Sequence, residues 1–313
     1  MTNNNNLNLQ NLQQFGYLDF FAKQVVEGFI TGFHKSPFHG FSVEFAEHRL
    51  YNHGESTRFI DWKLFARTEK LFIKKFEEET NLRCQIIIDN SSSMYFPVID
   101  KLSINNLNKI HFSVYATAVI LYLLRKQRDA FGLTIFSDKT DLHTEAKSNS
   151  AHHKFLITEL EKLLIPYQSE NPQKTNITTV LHEIAEKIHK RSLVILFSDM
   201  IESSNNLKEI LSALQHLRYN KHEVILFHVV DNIKELYLNF ENKPFKFIDM
   251  ETKKEVKVYP HEIKEAYKTK FLKFIEELKL KCGQYNIEFV EADINKGFNQ
   301  IILPFLVKRA KLY

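Results

Sequence analysis

Residues Cys84–Met94 read C-Q-I-I-I-D-N-S-S-S-M, and how this run is read decides the fold. Three consecutive isoleucines describe a strand buried on both faces, as in a parallel sheet. Asp89, Ser91 and Ser93 follow with the spacing Asp-x-Ser-x-Ser, at the end of the strand where ligands gather in open α/β sheets. One carboxylate and two hydroxyls make a set of hard oxygen donors, suited to Mg²⁺ or Mn²⁺ and not to zinc. Taken alone, the loop reads more simply as a cap for the next helix, because Ser and Asp favour N-cap positions.

Two distant segments shift that balance. Lys174–Ala185 reads K-T-N-I-T-T-V-L-H-E-I-A, a polar loop with Thr175 at the mouth of an amphipathic helix. Ser192–Met200 reads S-L-V-I-L-F-S-D-M, a second buried strand that closes on Asp199. Asp-x-Ser-x-Ser, then Thr before a helix, then Asp at the end of a later strand resembles the metal-ion-dependent adhesion site of von Willebrand factor A domains. The resemblance implies direct coordination of Mg²⁺ or Mn²⁺ by Ser91, Ser93 and Thr175, with Asp89 and Asp199 acting mainly through bound waters. Family members often carry Gly before the Thr, and here Lys174 stands there.

The chain has 313 residues, 44% of them hydrophobic and 26% charged, enough to bury a substantial core and unlike a disordered chain. Its 42 basic and 38 acidic groups leave a net charge of +4, too even a balance to imply nucleic acid. Cys84 and Cys282 are far apart and read as thiols, not as a disulfide. Val114–Leu124 is apolar but too short to span a bilayer and is followed by Arg125, Lys126 and Arg128, so it reads as a core helix. The start, M-T-N-N-N-N-L-N-L-Q, has neither a basic nor an apolar signal region. The expectation is a cytoplasmic protein with an Asn/Gln-rich, disordered lead over 1–16.

Hydrophobic periodicity gives a helix over 17–33 and an irregular, charged stretch over 41–80 that includes a strand near 71–76. Beyond it, strands and helices alternate to the C-terminus. A hairpin with alternating apolar and polar residues stands at 245–259, and Pro260 opens a long helix. This order predicts an α/β fold with a doubly wound, mostly parallel sheet flanked by helices. The domains expected are an N-terminal helical and irregular extension over 17–80 and a von Willebrand A-like domain over 81–313.

The extension carries a pattern of its own: Arg49, Tyr51, Gly54 and Glu55, then Arg58, Ile60, Asp61 and Trp62, then Ala66 and Arg67. This resembles the bacterial family called domain of unknown function number fifty-eight, which carries a von Willebrand A-like domain. Physically, Arg49, Arg58 and Arg67 can fork onto Glu55, Asp61 or the Glu77–Glu79 run. The expectation for Asp61 and Trp62 is a structural clasp, with paired charges stapling the segment and Trp62 filling a pocket. Exposed arginines would instead serve a docking partner.

Adjacent His152 and His153 do not have zinc-ligand spacing and read as surface histidines. His48 and His53 flank Arg49, but no nucleophile accompanies them. Phosphate-cradling glycine motifs are absent from a chain with eight glycines. The leading expectation is a non-enzymatic, metal-dependent protein-binding module. An Asp or Glu carboxylate of a protein partner completes the metal shell. The family resemblance implies that the partner is a MoxR-type AAA+ ATPase, in chaperone-like assembly or maturation of other proteins. The alternative is a metal-dependent phosphohydrolase using Asp89, which usually wants a second carboxylate where Ser91 stands. Nucleic-acid binding through the Lys-rich segment 264–281 is weaker, because its lysines alternate with glutamates as on a solvated face.

Overall fold

The computed structural model describes residues 17–32, 48–51, 62–74, 82–99, 103, 106–164, 176–201, 207–241 and 243–310. The chain divides into two compact units, one of residues 1–29 and 82–313, the other of residues 30–81.

The larger unit is built on a six-stranded sheet. Its strands are β3 (Arg83–Asp89), β4 (Ala130–Phe136), β5 (Thr140–His143), β6 (Leu193–Ser198), β7 (Glu223–Val230) and β10 (Glu288–Asp293), in the order β10-β7-β6-β3-β4-β5. All neighbours are parallel except β4 and β5, which form an antiparallel edge. The chain runs outward from β3 to β5 and then crosses back to β6, so the winding reverses between β3 and β6. In open α/β sheets the crevice that takes ligands lies at such a reversal, outside the carboxyl ends of the two strands. The doubly wound, mostly parallel α/β fold expected from the sequence is the fold observed.

The isoleucine run explains why β3 is central. Ile86 and Ile88 join the core on one face, with helices α1 (Tyr17–Gly32), α3 (Lys109–Lys126), α4 (Ser150–Lys162) and α8 (Asn299–Ala310). Ile87 joins the core on the other face, with α5 (Ile177–Lys187), α6 (Leu207–Tyr219) and α7 (Pro260–Gln284). All three side chains are fully buried, each contributing about 1.5 to 3 kcal/mol by leaving water. Helix α3 is buried around nearly its whole circumference, from Lys109 to Leu124, which is why its sequence lacks an amphipathic stripe. The core helix expected at Val114–Leu124 is therefore present, and among the described residues no helix is long and apolar enough to cross a membrane.

One glycine is fixed by close approach. A Cβ on Gly132 of β4 would stand 2.6 Å from the Thr144 carbonyl oxygen and overlap the Gln85 side chain. That side chain crosses the glycine to donate to Thr134 Oγ1 (2.9 Å) and to the Thr144 carbonyl (3.2 Å). The hairpin forms as expected, from β8 (Phe245–Ile248) and β9 (Glu255–Val258). Both cysteines are free and buried.

The structure corrects several expectations. The extension does not begin at residue 17: Leu18, Phe21, Ala22 and Val26 of α1 lie in the core of the larger unit. The stretch over 41–80 is not wholly irregular, since the smaller unit contains β1 (His48–Leu50) paired antiparallel with β2 (Phe72–Lys74), and helix α2 (Trp62–Thr68). His153 is no surface residue. It is 1% exposed, with Nδ1 3.1 Å from the Arg125 guanidinium, because its helical position points it inward while His152 reaches back to the Phe131 carbonyl (3.0 Å).

Trp62 does not fill a pocket. It is 60% exposed and meets Phe65, three residues on, edge-to-face at 6.1 Å between ring centroids. Arg67 is exposed as well. Little apolar surface leaves water at Trp62, so Trp62→Ala should change unfolding free energy by less than about 0.5 kcal/mol. A chemical denaturation curve checks this, and a loss of several times that size would restore the clasp. Gly54, Glu55, Arg58 and Asp61, with the side chain of Arg49, lie outside the described residues, and Tyr51 is half-buried.

Candidate cation site

The polar loop after β3 is shaped by its own side chains. The Ser91 backbone N–H donates to Asp89 Oδ1 (3.0 Å), an Asx turn that folds the chain back over the strand end. A short 3₁₀ turn over Ser92–Tyr95 follows, and the Tyr95 hydroxyl donates to Asn90 Oδ1 (2.9 Å). The turn meets the start of α3, where the Lys109 N–H donates to the Phe96 carbonyl (3.1 Å) and Asn108 caps the helix through the His111 N–H (2.9 Å).

Within this frame the Ser91 and Ser93 hydroxyl oxygens lie 3.0 Å apart. Asp89 and Ser91 are fully buried, while Ser93 is half-open to solvent. On the neighbouring strand, the Ser198 hydroxyl donates to Asp89 Oδ2 (2.7 Å) and accepts from the Met200 N–H (2.9 Å). Met200 holds a left-handed backbone with φ of 55°, unusual for a residue with a side chain. That turn sets Asp199, 1% exposed, beside the β3 loop. The Nε2–H of His228 on β7 supports it by donating to the Asp199 carbonyl (3.0 Å).

The charges in this crevice are not treated alike. Among the described residues no cation pairs with Asp89, whose two oxygens accept only from Ser91 and Ser198. Burial, reinforced by the charge of Asp199, pushes the Asp89 carboxyl up to about 7. Asp199 is instead paired: Lys109 Nζ lies 2.8 Å from its Oδ2 and 2.6 Å from Oε1 of Glu235. Burial acts against the Lys109 ammonium, but those two carboxylates outweigh it and hold its pKa above the ordinary lysine value.

Asp89, Ser91, Ser93 and Asp199 thus meet at the reversal point of the sheet, while Thr175 lies outside the described residues. Its neighbour Asn176 donates its N–H to the Ser137 carbonyl just past β4 (3.2 Å), so α5 starts at the same edge. The sequence reading missed Ser198, Lys109, Glu235 and His228. Ser198 stood next to Asp199 and could have been found as a second hydroxyl at the strand end. A lysine in the first turn of a helix carries no such signal.

The donor set fits a small hard cation. Two ligands of an octahedral Mg²⁺, each at about 2.1 Å, stand about 3.0 Å apart when adjacent, the separation of the two serine hydroxyls. Asp89, paired with no cation among the described residues, would supply the negative charge. Among the described residues no three His, Cys, Asp or Glu side chains are grouped to hold a metal, so a cation here depends on the hydroxyls.

Fold and site together define a doubly wound α/β protein with an oxygen-donor crevice at its winding reversal. The chain belongs to the family described as protein of unknown function DUF58, whose model matches residues 47–274. An uncharacterized protein of Mycobacterium tuberculosis (strain ATCC 25618 / H37Rv) is 22% identical over 214 residues, 68% of this chain and 63% of that protein. A protein of Mycobacterium bovis matches equally. The chain therefore spans less than two thirds of the length of these relatives.

Among solved structures, an aerotolerance-related membrane protein from Bacteroides fragilis matches 73% of this chain and 97% of its own, at 13% identity and a TM-score of 0.45. BatB from Bacteroides thetaiotaomicron matches 74% and 100%, at 12% and 0.43. The SpRpn10 VWA domain matches 48% and 76%, at 14% and 0.32. Likenesses this loose add no weight, and the fold rests on the strand order itself.

Proposed function

We propose that this chain is a non-catalytic protein-binding module whose crevice holds Mg²⁺ or Mn²⁺ and captures an acidic side chain of a protein partner. The observation that carries this reading is Asp89: a wholly buried carboxylate with no cationic partner among the described residues, beside two hydroxyls 3.0 Å apart. Asp89, Ser91 and Ser93 would hold the ion, joined by Thr175 in the family pattern. A divalent cation held largely by neutral hydroxyls keeps much of its charge and so attracts a carboxylate strongly. The partly open Ser93 side gives that carboxylate its approach. The resemblance to the von Willebrand A adhesion site and the family membership support a MoxR-type AAA+ ATPase as partner, in cytoplasmic assembly or maturation of other proteins.

The test measures affinity of the chain for a nucleotide-free MoxR-type ATPase from the same organism, for native protein and Asp89→Ala, each with Mg²⁺ and with a chelator. Native protein with Mg²⁺ should bind about thirty-fold or more tightly than the other three arms, an interfacial hot spot of about 2 kcal/mol. Mutation and chelation should not add, because both empty one site. Equal affinity in all arms overturns the mechanism, and Mg²⁺-dependent phosphate-ester hydrolysis lost in Asp89→Ala favours an enzyme.

A further inference from the structure

Lys109 is a charge that cation capture does not by itself require. Its side chain is 1% exposed, and its ammonium is clamped between Asp199 Oδ2 at 2.8 Å and Glu235 Oε1 at 2.6 Å. Each clamp is itself held. The Asp231 N–H donates to Glu235 Oε2 (2.8 Å), and the Ile201 N–H donates to Asp199 Oδ1 (3.1 Å). The lysine backbone is tied to the β3 loop through the Phe96 carbonyl, and its Nζ stands 5.9 Å from the centre of the Phe96 ring. Removing an ammonium from water costs several kcal/mol unless fixed carboxylates meet it. Here three elements converge to meet it: α3, the end of β6 and the helical turn after β7.

Both oxygens of Asp199 are therefore engaged within the protein. Both oxygens of Asp89 accept hydrogen bonds, but among the described residues it has no cationic partner, so it is the carboxylate left for an ion bound at Asp89, Ser91 and Ser93 to draw on. The formal charges of Asp89, Asp199, Glu235 and Lys109 sum to two negative, which one divalent cation cancels. Without Lys109 the sum would be three negative, and the loaded crevice would keep a negative charge that repels an acidic ligand.

We infer that Lys109 is a resident cation of the crevice, withholding Asp199 from the divalent ion, lowering the affinity for that ion and keeping the loaded site receptive to a carboxylate. This rests on the cation reading above and adds a residue that tunes it.

The test is Mn²⁺ binding to native protein, Lys109→Met and Asp89→Asn, followed by the resonance of free Mn²⁺ or by calorimetry. Methionine keeps the length of the side chain and drops its charge. The expected result is measurable binding by native protein, loss in Asp89→Asn, and binding at least about tenfold tighter in Lys109→Met. A purely structural lysine would give the opposite sign, since loosening the crevice does not tighten an ion. Equal or weaker binding by Lys109→Met, with native binding intact, overturns the role of Lys109 and leaves the cation reading standing. Binding by Lys109→Met alone supports the role and overturns cation capture by the native chain. Binding by neither overturns both. Should Lys109→Met fail to fold, Lys109→Met/Glu235→Gln restores the native formal charge while still freeing Asp199. Tighter Mn²⁺ binding by that pair supports the inference, and unchanged or weaker binding overturns it.

Discussion

Replacing Asp89 by Asn is expected to stabilise the cation-free protein at pH 8 by roughly 4 kcal/mol and to abolish its response to Mg²⁺. The cause is a carboxyl group raised from 3.8 to about 7 by burial and by the charge of Asp199. The sign follows from proton uptake. Below pH 3.8 the group is protonated in both states and contributes nothing. Between 3.8 and 7 the unfolded chain releases its proton while the folded chain keeps it, so stability falls as pH rises, and it stays low above 7. Asparagine has no charge to strand there. Its Oδ1 still accepts from the Ser91 N–H, and its amide meets the Ser198 hydroxyl that now donates to Asp89 Oδ2. Urea unfolding in chelator at pH 8 and pH 4 measures the first half, and melting temperature against Mg²⁺ concentration measures the second. Asp89→Asn less stable than native protein at pH 8 would show that the carboxylate is not held at a cost. A melting temperature still rising with Mg²⁺ in the variant would place the ion elsewhere.

The fold was legible because its centre is written locally. The Ile86–Ile88 run announces burial on both faces, and the alternation of strands and helices after it leaves few topologies for a parallel sheet. The carboxylate–hydroxyl half of the site was legible for a related reason: Asp89, Ser91 and Ser93 share one loop, and Asp199 closes a recognisable strand. Lys109 and Glu235 were not legible. They stand 126 residues apart in sequence, and each has the local pattern of an ordinary surface charge. Only the packing of α3 against β3, β4 and β7 turns that lysine inward. Trp62 was misread for the complementary reason. A large aromatic among charges is more often buried than bare, and no local pattern distinguishes a pocket from an exposed helix face such as that of α2.

A second large effect is expected on acidification, and His111 isolates it. This ring sits in the first turn of α3 at 1% exposure, and burial holds it neutral by lowering its pKa from 6.5 to about 4. The unfolded chain takes up a proton below 6.5 and the folded chain does not until about 4. The histidine's contribution is thus fully present above pH 6.5 and is lost as pH falls through that window. At pH 5 the loss is about 2 kcal/mol. His153 and His228, also lowered to about 4 by burial, act in the same direction. Asp89 and Asp129, raised by burial to about 7 and about 6, act in the other. The stability curve of the whole protein is therefore a sum of opposing terms, and one variant must be read as a difference. Native protein should lose about 2 kcal/mol more than His111→Leu between pH 7 and pH 5, measured by urea unfolding at the two pH values. Equal losses would mean that the folded protein protonates this ring as readily as water does, which a side chain sealed beneath the sheet cannot do without an opening of α3.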